Sequence, residues 1–261
     1  MKIGCCIDIS WYDTLVACGY ESITLAAKDV AVWDEDTFQS AKKKLTEGKL
    51  KTISLNSFCT PELRLNGKDF DPEKLTKYTE LVCKRGSELG YRYVGIGAPG
   101  SRNLGLEDNL DRCRAQFMQA LGIMCREAAK FGMEILLESV CSVECNFITT
   151  TREALAIVRE LGLPNLHLVY DVYHEYMENQ SLDVIYEARD EIRAVHIAQN
   201  ANNKRAYLDD AHLEEYTAYW NALQKIGYTD EWNLESFVGA PEEMLPRSMQ
   251  IMNKLKEGSQ S

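Results

Sequence analysis

Four short apolar runs lead into residues that carry chemistry, and their spacing constrains the fold more than any other feature of this chain. Met133-Glu134-Ile135-Leu136-Leu137 closes on Glu138, and Leu166-His167-Leu168-Val169-Tyr170 closes on Asp171. His196 sits within Arg193-Ala194-Val195-His196-Ile197, and Trp232-Asn233-Leu234 closes on Glu235. The intervals between the four are 33, 25 and 39 residues, each about the length of one strand, one helix and their loops. In a parallel barrel of such units the ends of successive strands converge on one face, where catalytic residues collect. Three carboxylates and one imidazole meeting there suit a divalent metal with mainly oxygen ligands. Each residue alone has a plain structural reading: a helix cap, a salt-bridge partner or a hydrogen-bonded core histidine. Recurrence at this spacing favours the metal, because burying three carboxylates without a cation is costly.

The rest of the chain fits the same alternation. Residues 2–9 read as a buried first strand, 12–18 as a short helix ended by Gly19, and 20–25 as a second strand. A helical pattern over 36–47 stops at Gly48, and 52–55 gives a third strand. The loop 56–65 that follows is unusually apolar, which fits either a pocket lining or packing on a helix. Asp71-Pro72 opens a helix, with an acid at the N-cap and proline at the first helical position. That helix runs to Leu89, and 93–97 is the fourth strand, followed by the turn-rich Gly97-Ala98-Pro99-Gly100-Ser101-Arg102. Cys113, Phe117, Leu121 and Met124 keep the spacing of a helical stripe. Thr150-Thr151-Arg152-Glu153 reads as a capping box. Helices over 182–189, 213–226 and 241–256 complete the series, with a frayed polar tail over 257–261. Eight strands alternating with eight helices across residues 1–261 predict a single (β/α)8 TIM barrel domain. No Gly-x-Gly-x-x-Gly turn follows the first strand, which weakens a dinucleotide reading.

Composition narrows the partners. A net charge of −11 and only four histidines argue against nucleic acid, whose phosphates call for a basic footprint. Nine cysteines, an odd number with no Cys-x-x-Cys pair, suggest reduced thiols and a cytoplasmic setting. The first residues run straight into a strand pattern with no signal peptide ahead. No apolar stretch approaches the roughly 18 residues of a membrane span, so a small substrate and no membrane are expected.

Several stretches resemble the sugar phosphate isomerase/epimerase family, the xylose isomerase-like TIM barrels that include ketose 3-epimerases and hydroxypyruvate isomerase. They are Leu137-Glu138-Ser139 with Glu144-Cys145-Asn146-Phe147-Ile148, Asp171-Val172-Tyr173-His174, Val195-His196-Ile197-Ala198 and Leu234-Glu235-Ser236. The resemblance implies one divalent ion, manganese first and magnesium or cobalt next, on Glu138, Asp171, His196 and Glu235. It also implies proton abstraction beside a metal-bound carbonyl through an enediolate, with Glu138 and Glu235 as the two acid/base carboxylates. His174, three residues after Asp171, would contact substrate oxygens, or would orient Asp171 instead. Glu144 matches a position that bonds the sugar end, against a plain surface salt bridge. Arg205 matches a substrate-binding arginine, although the family's proline and glycine after it are missing here and Lys204 is the rival. Homo-oligomers are common in the family.

The loops depart from the family pattern at Gly97–Arg102 and at Ser139-Val140-Cys141, and His212 has no counterpart there. These changes surround the substrate rather than the metal. They leave open an alternative on the same scaffold: the α-subunit of a metal-dependent C-glycoside deglycosidase, a lyase that cleaves a sugar–aglycone C–C bond with a small β-sandwich partner subunit. A barrel endonuclease with three zinc ions fits the acidic charge poorly, and a non-catalytic binder fits the complete ligand quartet poorly.

Overall fold

The computed structural model describes residues 1–258. Its strands are Lys2–Cys6 (β1), Ser22–Thr24 (β2), Ser54–Leu55 (β3), Tyr93–Ile96 (β4), Glu134–Glu138 (β5), Leu166–Asp171 (β6), Ile192–Ile197 (β7), Gln199–Asn200 (β8), Arg205–Ala206 (β9) and Glu231–Leu234 (β10). β8 and β9 form a small antiparallel hairpin; the other eight make one sheet in the order β2-β1-β10-β7-β6-β5-β4-β3. Every pair in that sheet is parallel. Between its edges, Ile23 N donates to Lys51 O at 3.1 Å and Asn56 N to Leu25 O at 3.0 Å, so the barrel is nearly closed. The expected (β/α)8 barrel is the observed one.

Strands buried on both faces read as continuous apolar runs, and Ile135, Leu136 and Leu137 are fully buried. Inside the barrel, Tyr93, Leu136, Val169 and Ala194 pack as their own apolar cluster. On the β1, β2 and β10 side the interior is polar: buried Glu231 accepts from Ser22 Oγ at 3.1 Å and from Ser54 Oγ. Gly4 belongs to this layer because a Cβ there would overlap Asn233 Oδ1 and Ser22 Oγ. Outside, the helix Leu110–Ala129 buries the expected stripe Cys113, Phe117, Leu121 and Met124. Asp71 caps Pro72–Glu88 by accepting from Glu73 N and Lys74 N, and Thr150 and Glu153 form the capping box of Thr151–Leu161.

The structure departs from expectation mainly in the loops. β1 stops at Cys6 rather than residue 9, because Asp8 caps the 3-10 turn Ile9–Trp11. Short helices at Ala27–Val32, Pro99–Arg102 and Val172–Met177 add to the eight expected. Each spans less than two turns, too few for an apolar period to register. In the loop 56–65, Phe58, Leu63 and Leu65 pack into the main core, so packing accounts for its apolar character. Glu257 and Gly258 continue the last helix, Pro241–Gly258, and the final three residues of the expected frayed tail lie outside the described residues. Among the described residues no helix is long and apolar enough to cross a membrane. The nine cysteines are free and, Cys18 apart, buried.

Candidate metal centre

β5 ends on Glu138, β6 ends on Asp171, and His196 is the penultimate residue of β7. Glu235 stands one residue past β10, where its N–H donates to Ile197 O at 2.9 Å. The barrel brings all four together. His196 Nδ1 lies 3.1 Å from Glu138 Oε1, 3.3 Å from Glu235 Oε2 and 3.8 Å from Asp171 Oδ2. One ligand atom from each residue falls within 4.8 Å of the others, and all four residues are buried. Gly97, just past β4, makes room: a Cβ there would stand 2.6 Å from Glu138 Oε2. A buried set of three carboxylates and one imidazole, cradled by a glycine, fits a divalent cation.

Charge in the site is unevenly distributed. Burial raises the Glu138 carboxyl above the usual range, opposed by its hydrogen bond to His196. Burial acts the same way on Glu235, but the Arg205 guanidinium and His196 outweigh it and hold that carboxyl well below its ordinary value. Asn56 Nδ2 adds a donor to Glu235 Oε1 at 2.6 Å. Burial works against a charge on His196, yet Glu235 and its other partners raise it well above an ordinary histidine. Arg205 Nη2 reaches both Asp171 Oδ2 and, at 2.8 Å, Glu235 Oε2. Cys6, at the end of β1, faces His196, and burial pushes its thiol up to about 12.

The expected substrate contacts gather on one side of the quartet. The His174 main-chain N–H donates to Asp171 Oδ1 at 3.2 Å. Its ring turns elsewhere: Nδ1 accepts from Cys141 N at 3.2 Å and Nε2 lies 3.3 Å from Arg205 Nη2. Burial, then Arg205, push this ring down to about 3, so it is neutral. Arg205 is buried because the β8–β9 hairpin folds back through Asn202 and Asn203, both at positive φ, while Lys204 stays exposed at the turn. Its guanidinium stacks 4.7 Å from the centre of the Tyr173 ring. Glu144 is an exposed loop residue whose carboxyl leans inward; burial raises it and Arg205 opposes that rise. His212 lies apart, paired with Asp209 at 2.6 Å.

Asn56, Cys6 and Arg102 escaped the sequence reading. Asn56 and Cys6 stand at strand ends like the quartet, and that position was the available signal. Arg102 gave none. Beside the centre opens a cavity of about 340 Å³ that Cys6, Asn56 and Ser236 border and Trp11, Trp33 and Phe237 line further out.

A further buried acid, Glu175, lies near the site. Glu175 Oε1 accepts from Thr151 N at 3.0 Å and Thr151 Oγ1 at 2.8 Å, while its Oε2 has no partner. Burial raises its carboxyl to about 6. Because the folded value lies above the unfolded one, wild type loses stability as pH rises from about 4.5 to 6. Glu175→Gln is therefore expected to gain about 2 kcal/mol relative to wild type between pH 4.5 and pH 7. Urea unfolding at both pH values checks it, and a difference that does not change with pH counts against it.

Comparison with known proteins places the fold. Residues 12–255 match the model of the xylose isomerase-like TIM barrel family, and the chain belongs to that family. It is 33% identical over 140 residues to a ketose 3-epimerase of Arthrobacter globiformis, covering 52% of this chain and 46% of that protein. It is 29% identical over 234 residues to an L-ribulose 3-epimerase of Methylomonas sp. strain DH-1, covering 84% and 74%. The match thus spans about half the length of the first relative and three quarters of the second. A crystal structure of the IOLI protein with a bound zinc atom superposes with a TM-score of 0.74 at 19% identity, over 99% of this chain and 97% of that one. Both of these relatives are sugar epimerases, and neither lends support to the deglycosidase alternative.

Proposed function

We propose that the chain is a divalent-metal-dependent ketose epimerase or isomerase that moves a proton on the carbon beside the substrate carbonyl. The observation that carries this reading is the convergence of Glu138, Asp171, His196 and Glu235 from four strand ends within 4.8 Å. The oxygen-rich donor set favours manganese, with magnesium or cobalt as close alternatives, and the zinc of the IOLI structure supports a metal on this scaffold. When bound, the cation acts as a Lewis acid on the substrate carbonyl and so acidifies the neighbouring C–H bond.

The chain's own residues would divide the proton transfer. Glu235, stripped of its proton by Arg205 and His196, is suited to accept the substrate proton. Glu138, the other glutamate of the quartet, is suited to return one from its own side of the substrate. With His174 Nδ1 accepting from Cys141, a neutral ring carries its proton on Nε2, beside Arg205 Nη2. Two donors side by side would recognise a substrate oxygen, and Glu144 would accept from a hydroxyl further along the sugar. The neighbouring cavity would take the rest of the molecule.

The test is deuterium uptake from D2O into a panel of free ketoses by the purified chain, with its metal content measured. Metal-dependent exchange at the carbon beside the carbonyl supports the reading. A metal-loaded protein that exchanges none of the pentuloses and hexuloses sinks it.

A further inference from the structure

Arg102 is fully buried at the end of the short helix Pro99–Arg102, and the chemistry described so far makes no use of it. Its guanidinium spends its donors on main-chain and sulfur acceptors. Nη1 donates to Glu138 O at 2.9 Å, Nη2 to Ile148 O at 3.1 Å and Nε to Cys145 Sγ at 3.4 Å, and the group lies 6.0 Å from the Phe117 ring centre. Those acceptors mark the two ends of one loop, which leaves β5 at Glu138, carries Glu144 and returns at Ile148. Ile148 has φ of +62°, a costly conformation for a β-branched residue that persists only when its surroundings impose it. Arg102 supplies part of that imposition, together with the Val140 N–H, which donates to Ile148 O at 3.3 Å.

Asn103 continues the same strap. Asn103 Oδ1 accepts from Asn146 N at 2.8 Å, and Asn103 Nδ2 donates to Glu144 O at 3.3 Å. Leu104 N donates to Asn146 Oδ1 at 2.8 Å. Three consecutive residues, Arg102, Asn103 and Leu104, therefore hold the loop.

We infer that Arg102 is a positioning residue: it clamps both ends of the 139–148 loop, one of them at the Glu138 main-chain oxygen, so that Glu144 along the loop faces the substrate. This rests on the reading of Glu144 given above. A lysine at 102 keeps the charge but cannot bridge three separated acceptors with a planar fork. Arg102→Lys is expected to raise KM for the ketose about tenfold while kcat changes less than threefold, the pattern of lost substrate binding rather than lost chemistry. Coupling to Glu144 is the sharper readout. If the clamp acts through that carboxylate, Arg102→Lys adds less than threefold to the KM of Glu144→Gln, whereas a general structural weakening would multiply with it.

Amide hydrogen exchange of the metal-loaded protein gives a readout independent of turnover. Val140, Glu144 and Cys145 N–H groups are expected to exchange at least tenfold faster in Arg102→Lys, with those of β6 and β7 unchanged. Asn103→Ala should loosen the same amides and carries this arm if Arg102→Lys does not fold. Unchanged loop protection, or independent effects in the double mutant, overturns the inference. A wild type without ketose turnover would sink the proposed function instead, and the clamp then stands or falls on the exchange data.

Discussion

Glu235→Gln is expected to lower metal-dependent deuterium exchange by a factor of about 10² to 10⁴, the range of a positioned general base. Glutamine keeps the shape and can still accept from Asn56 Nδ2, which bonds Glu235 Oε1 at 2.6 Å in the wild type. What it cannot do is take a proton. The change also leaves the buried Arg205 facing one carboxylate, Asp171, where it now faces two, so metal content must be measured beside rate. Glu138→Gln should be impaired to a similar degree in epimerisation, since a two-carboxylate mechanism needs a donor as well as an acceptor. The two variants separate if exchange is followed from each epimer: the variant lacking the acceptor for one face should still exchange slowly from the other. A metal-loaded Glu235→Gln protein that exchanges within tenfold of wild type would remove Glu235 from the reaction.

The barrel was legible because its signal repeats. Buried parallel strands leave apolar runs, turns leave glycines, and each candidate ligand stands at or next to the downstream end of its run, so one rule points to Glu138, Asp171, His196 and Glu235 together. Cys6 and Asn56 obey the same positional rule but are uncharged, and nothing in their side chains distinguishes a strand end at the centre from one beside it. Arg205 reaches the site through a hairpin whose turn at Asn202 and Asn203 is short and local. The sequence could name that arginine only by resemblance, with Lys204 beside it as a rival. The role of Arg102 was hidden for another reason. Its partners, Glu138 O, Cys145 Sγ and Ile148 O, are 36 to 46 residues away and mostly main chain, and main-chain acceptors leave no mark on a sequence. Loops record such contacts poorly; strands record the core well.

Removing the cation should cost both activity and stability. Glu138, Asp171 and Glu235 are buried together, with Arg205 and a protonated His196 as the charges set against them. A cation that binds the folded chain alone contributes about 3 to 4 kcal/mol when present at 100 to 1,000 times its Kd. For a chain of this size each kcal/mol moves Tm by about 2 to 4 °C, so chelation is expected to lower Tm by about 6 to 16 °C and to abolish exchange. Adding manganese should restore both, and cobalt or magnesium should restore them in proportion to their affinity. Asp171→Asn provides the internal control, because its Tm should respond little to chelator or to added metal if Asp171 is a ligand. Differential scanning calorimetry with elemental analysis of the same samples decides it. A purified protein that holds no divalent ion, and whose Tm stays fixed on titration with manganese, zinc and cobalt, would leave the four converging side chains as a buried ion-pair network and take the chemistry with it.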